Sequence, residues 1–152
     1  MIRLPQFFIV SILVSFLFCF TQCKKDKNPL NITLYDKPLG EIQSYTQGKW
    51  KLQYEKGGFC GSCYYPSTQN SYMILAPNRI VIGNDSLGVI VDTSIVWKKE
   101  PWGTNFTYLL SYYYSPGYAF PYYYFINEIK NDTLVLSDYA SDPVYRYYTK
   151  FN

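Results

Sequence analysis

Cys60 and Cys63, set three apart in the stretch CGSC, are the densest chemical signal in this chain. Thiols at that spacing can close a small disulfide, supply half of a metal site, or carry out dithiol exchange. A metal would need two more soft ligands, and the chain has no histidine to offer. A redox pair belongs at a strand-to-helix junction, and Gly57, Gly58, Phe59 and Gly61 do not open a helix. A structural disulfide between Cys60 and Cys63 is therefore the favoured reading. The missing histidine also removes the commonest general base, any Ser-His-Asp triad and c-type haem attachment, where Tyr64 stands in place of the required histidine. Asp138 and Asp142 are four apart in a loop, which suits turn capping better than acid–base work. They are too sparse for a calcium site. No enzyme activity, metal or cofactor is expected.

Tyrosine is the second signal. There are 18, grouped as Tyr112-Tyr113-Tyr114, Tyr122-Tyr123-Tyr124 and Tyr145, Tyr147-Tyr148. Consecutive strand residues point to opposite faces, so each triplet sends tyrosine both inward and outward. Inward rings fill a core; outward rings can stack on a ligand or a partner protein. Tyr108, Tyr112, Tyr114, Tyr122 and Tyr124 are the candidate aromatics for a small apolar or aromatic ligand, or for an envelope protein.

The elements that carry these residues alternate with a period of two. In KWKLQYEK, Trp50, Leu52 and Tyr54 fall on one face and Lys49, Lys51, Gln53 and Glu55 on the other. Further strands are predicted at Ser71–Ala76, Arg79–Ile82, Val89–Lys99 (as one strand or two), Asn105–Tyr114, Tyr122–Ile129, Thr133–Ser137 and Val144–Phe151. Lys130-Asn131-Asp132 is the expected hairpin turn between two of them. About eight short strands at regular spacing predict an all-β fold, an up-and-down antiparallel barrel that leaves no sheet edge open. A two-sheet β-sandwich is the alternative. A short helix within Pro38–Gly48 could plug one barrel end.

The N-terminus sets the compartment. Phe7 to Phe20 reads FFIVSILVSFLFCF, uncharged and preceded by Arg3. Its length suits the apolar core of a signal peptide and is short for a membrane span, which needs about 18–20 apolar residues. It contains no small-residue A-x-A site; the first alanine of the chain is Ala76. Phe20-Thr21-Gln22 before Cys23 instead resembles a loose lipobox, the motif of bacterial lipoproteins. Phe20 and Gln22 depart from the usual leucine and small residue. The resemblance implies cleavage after residue 22, acylation of Cys23 and attachment to a membrane through the lipid; an uncleaved anchor is the alternative. The expected organisation is a signal at 1–22, a lipidated cysteine and tether at 23–44 and a barrel domain at 45–152. The net charge of +3, falling by one when Arg3 is removed, and the scatter of its basic residues imply no nucleic-acid partner.

Gly48-Lys49-Trp50 opens the first long strand and resembles the G-x-W signature of lipocalins, in which the tryptophan packs across the barrel base. Asp132–Lys150, NDTLVLSDYASDPVYRYYTK with its leading Asn131, resembles the end of small lipocalin-like lipoproteins of Gram-negative gut and gliding bacteria. The middle of the chain is unmatched. The resemblance implies a lipocalin-like barrel lipid-anchored in the cell envelope, at the outer membrane of a Gram-negative bacterium. It also implies a basic residue on the last strand lying over the tryptophan. Arg146 and Lys150 both qualify by spacing, and Arg146 is grouped with Gly48 and Trp50 as the barrel-base signature.

Overall fold

Strands form at every alternating segment. A computed structural model describes residues 28–114 and 120–151. The expected signal at 1–22 and the lipidation site Cys23 lie outside the described residues. In chain order the elements are β1 (Ile32–Thr33), α1 (Leu39–Thr46), β2 (Gly48–Gly57), β3 (Tyr64–Pro66), β4 (Tyr72–Ala76), β5 (Arg79–Asn84), β6 (Gly88–Ser94), β7 (Val96–Trp102), β8 (Asn105–Tyr112), β9 (Tyr122–Lys130), β10 (Thr133–Asp138) and β11 (Val144–Lys150).

The sheet path runs β6-β5-β4-β2-β11-β10-β9-β8-β7, every pairing antiparallel. The last strand pairs back onto the first long one, as β11 on β2, and the sheet curls into a half-barrel. The all-β expectation holds. Two short strands were not foreseen from the pattern: β1 pairs with the C-terminal half of β9, and β3 with the C-terminal half of β2. The segment Val89–Lys99 divides into β6 and β7 around Ile95, whose N–H is held by Asn78 O at 3.1 Å. These two strands are the ends of the path, and among the described residues no backbone ladder joins them.

The β9–β10 hairpin turns at Asn131 and Asp132, both with positive φ (49° and 59°). That is the backbone twist a tight two-residue hairpin needs, and Asn and Asp tolerate it. The turn also receives the N-terminal segment. Leu30 N–H donates to Asp132 Oδ1 at 2.9 Å, and Asn131 N–H donates to Asn31 Oδ1 at 3.0 Å. Leu34, within the stretch read as tether, is fully buried in the core. Ordered structure therefore begins ahead of residue 45, because an apolar side chain there finds a dry surface to cover.

The helix suspected within Pro38–Gly48 is present as α1. It packs Ile42 into the core beneath Trp50, and the Trp50 indole N–H donates to Thr46 O at 2.7 Å. Gly48 then turns the chain from helix to strand at φ 128°, a conformation that a side chain would strain. Lys150 Nζ sits 5.2 Å above the Trp50 ring. The basic cover of the tryptophan is thus Lys150, and the assignment of Arg146 to the barrel base is corrected. On β11, Arg146 lies four residues before Lys150, farther along the sheet and away from the base.

A second correction concerns β2. Tyr147 pairs with Tyr54 and Tyr148 with Leu52, so Gln53 is an extra residue on β2. Such a bulge shifts the face of everything after it. Trp50 and Leu52 point inward as the alternation predicts. Tyr54 points outward and stacks on Tyr147, ring centroids 4.3 Å apart, while Glu55 points inward.

Candidate binding cleft and the arginine cluster behind it

Inward-facing residues of β2, β8, β9, β10 and β11 meet around Arg146. Its Nε donates to Glu55 Oε1 at 2.7 Å, and its Nη1 donates to Asp138 Oδ1. The guanidinium carbon lies 5.1 Å from the Tyr124 ring centroid. One planar cation therefore satisfies two carboxylates and rests on an aromatic face, the geometry that guanidinium suits better than ammonium. Burial works against the charge of Arg146. The Tyr124 phenol and the Asp138 carboxylate work for it and prevail, so the guanidinium is held protonated more firmly than usual.

The five candidate tyrosines sort by depth around this centre. Tyr112 and Tyr124 are buried, with hydroxyls 3.4 Å apart. Tyr122 stacks on Tyr112 at 5.8 Å and is exposed; Tyr114, 6.0 Å from Tyr122, is exposed too. Tyr108 packs half-buried against the core. Burial raises the phenol pKa of Tyr112, Tyr124 and Tyr148, with Arg146 tempering the rise at all three. Tyr112 and Tyr124 are therefore neutral core residues bonded to each other rather than open ligand platforms. Trp50, Met73, Ile80, Val91, Leu110, Ile126, Leu134 and Leu136 fill the rest of the described interior.

A cleft bounded by described residues lies on the outer face of the curled sheet. It holds about 770 Å³. Its floor is the outer face of β9 and β10, with Phe125, Asn127 and Ser137. One wall is the 139–143 connection to β11, led by Tyr139; the other is Tyr35, which follows β1. The Tyr139 ring lies 5.3 Å from that of Phe125, at 50°. Asn127 occupies this floor because β9 bulges there: Val135 pairs with Glu128 and Leu136 with Ile126, leaving Asn127 as the extra residue. The freed Asn127 carbonyl accepts from both Leu34 N–H (2.8 Å) and Tyr35 N–H (3.2 Å), which fixes the far wall. The Asn127 side-chain amide donates to Ser137 Oγ at 3.0 Å. Asp138 stands at the rim and is shared between the cleft and the Arg146 cluster.

None of the five candidate tyrosines lines this cleft. The sequence held one usable signal for it: Tyr123 and Phe125 alternate on the outer face of β9, where a core role cannot explain them. Tyr35 carried no such signal, because its position depends on the β9 bulge 92 residues away. Among the described residues no cluster of three or more Cys, Asp or Glu is arranged to hold a metal ion.

Cys60 and Cys63 are joined as a disulfide, with Cα atoms 5.6 Å apart. The link staples the connection between β2 and β3, and Phe59, just before Cys60, is 99% exposed. Tyr64 and Tyr65 on β3 are exposed beside it, and Tyr64 packs against Tyr54 at 5.0 Å.

No protein-family model, curated protein or solved structure matches this chain.

Proposed function

We propose that this protein is a lipid-anchored binding protein of the bacterial cell envelope, with a lipocalin-like barrel that presents a small-ligand site on its outer wall. The observation that carries the reading is the 770 Å³ aromatic cleft outside a described interior filled by buried side chains. Its size is in the range of small-molecule sites, about 300–1,000 Å³, and it combines apolar walls with a few fixed polar groups. The lipocalin-like part of the proposal is supported by ring order. If β6 and β7 are one strand bent at Ile95, then β2, β4, β5, the bent strand, β8, β9, β10 and β11 run round in sequence as eight. Gly48, Trp50 and Lys150 then supply the barrel base. Anchoring at Cys23, after removal of residues 1–22, would tie the domain to the outer membrane.

Native mass spectrometry of the full chain in detergent, mixed with an extract of envelope lipids and metabolites, tests the reading. A discrete adduct that disappears in Tyr139→Ala supports it; a clean unliganded mass across extracts removes it. Cys23→Ala releasing the protein from the membrane fraction supports the anchor.

A second reading is a protein–protein module. Exposed Phe59 next to the disulfide, with exposed Tyr64 and Tyr65 in the following strand, favours a docking role for that end of β2 and β3. Crosslinking in cells from that loop to one envelope protein would support it; unspecific products would not.

A further inference from the structure

The chemistry of the cleft walls narrows what it can hold. We infer that the cleft takes a neutral saccharide, packed on the rings of Tyr139 and Phe125 and held by Asn127; this rests on the cleft being the binding site proposed above.

Three features carry the inference. Tyr139 and Phe125 form adjoining ring surfaces 5.3 Å apart and tilted by 50°. Such a corner offers flat apolar area to the C–H face of a sugar ring without enclosing it.

The floor beside the rings is polar. Asn127 gives one amide proton to Ser137 Oγ. Its second amide proton and its Oδ1 have no side-chain partner among the described residues. Asn127 therefore offers one donor and one acceptor side by side. Two neighbouring sugar hydroxyls match that pair, since each hydroxyl both gives and accepts a hydrogen bond. An acyl chain would cover the amide without pairing it, which is unfavourable.

Charge weighs against the ionic alternatives. Among the described residues lining the cleft there is no lysine or arginine to bond a phosphate or a carboxylate directly; Lys98, over the Tyr123 ring at 5.8 Å, stands outside that lining and is paired with Glu100. Its one carboxylate among the described residues, Asp138, already has its charge balanced by Arg146 through Oδ1, which weakens its pull on a cationic ligand. A neutral, hydroxyl-rich, ring-shaped ligand is what these groups suit best.

The experiment uses the full chain in detergent on an array of neutral oligosaccharides, alongside the same chain in native mass spectrometry with envelope extract. Tyr139→Ala and Asn127→Ala are run in parallel, and a thermal melt confirms that each is folded. Tyr139 is exposed, so its truncation leaves the core intact. The expected result is binding of one glycan class, weakened roughly tenfold in each variant. Glycan binding that both variants retain would overturn the assignment of this cleft. A non-saccharide adduct, peptide or lipid, lost in Tyr139→Ala would overturn the sugar inference and leave the cleft as the binding site. No glycan and no adduct would overturn both.

Discussion

Glu55 reaches Arg146, at 2.7 Å, because Gln53 is an extra residue in β2. Strict alternation would turn Glu55 to solvent and Tyr54 to the interior. The bulge reverses both, and it lies where β2 exchanges its partner β4 for β3. Ser67 N–H donates to Gln53 O at 2.9 Å, so the bulge carbonyl is satisfied by the incoming chain. A single inserted residue thus converts a surface acid into half of an interior ion pair.

Arg146→Met should destabilise the fold by about 2–4 kcal/mol, read by denaturant melting. Removing one member of a buried ion pair costs about 3–5 kcal/mol, and the side chains here keep a fifth to a third of their exposure, which lowers the figure. Glu55 and Asp138 would be left facing each other without a cation. Adding Glu55→Gln and Asp138→Asn to Arg146→Met should recover part of the loss. A triple variant no more stable than the single one would show that the cation is held for shape rather than charge.

Stability should fall at alkaline pH. Tyr112, Tyr124 and Tyr148 have phenol pKa values raised in the fold by burial. A raised pKa means that the folded state binds the proton more tightly than the unfolded chain. Their contribution is whole below the unfolded tyrosine value, near 10, and is lost as pH rises beyond it. Ultraviolet titration should show the exposed tyrosines ionising first, with these three ionising together with unfolding. Smooth titration of every tyrosine before loss of structure would refute their burial.

Lys150→Met should cost only about 0.5–1 kcal/mol, the usual worth of an exposed cation over an aromatic ring. Trp50→Ala, in contrast, should cost about 3–5 kcal/mol, since it empties a fully buried site and orphans Thr46 O. Comparing the two melts separates the cover from the packing. The fluorescence of Lys150→Met should change while its melting temperature barely moves.

Gly57→Ala should be among the more damaging small substitutions, at about 1–3 kcal/mol. Gly57 has φ 107°, and a Cβ there would meet Pro143 O at 2.5 Å. The clash would push the 139–143 wall of the cleft, so ligand affinity should fall together with thermal stability. Gly61→Ala has open space around it and should show the conformational strain alone.

Non-reducing peptide mapping should recover Cys60 linked to Cys63. Because the closed loop is so short, the chain-entropy contribution is about 2 kcal/mol at most. The Cys60→Ser, Cys63→Ser variant should therefore remain folded and melt a few degrees lower. Two freely alkylated thiols in the native protein would remove the disulfide.

Local pattern alone determined the longer strands of this chain, though not the short β1 and β3. Apolar and aromatic residues two apart, broken by Pro77-Asn78, Gly83–Gly88 and Lys130-Asn131-Asp132, leave little else for the backbone to do. The glycines around Cys60 and Cys63 likewise ruled out a helix and left a stapled loop. What the sequence could not decide is anything that depends on one residue of register. The bulges at Gln53 and Asn127 are set by which carbonyls the incoming segments at Ser67, Leu34 and Tyr35 bond, and those partners are distant in the chain. For that reason Glu55 turned inward to meet Arg146 and the cleft formed from Tyr35, Asn127 and Tyr139, while the pairing of β11 with β2 set Lys150 rather than Arg146 opposite Trp50. A strand turns its whole face over with a shift of one residue, and only the packed structure can choose between the two.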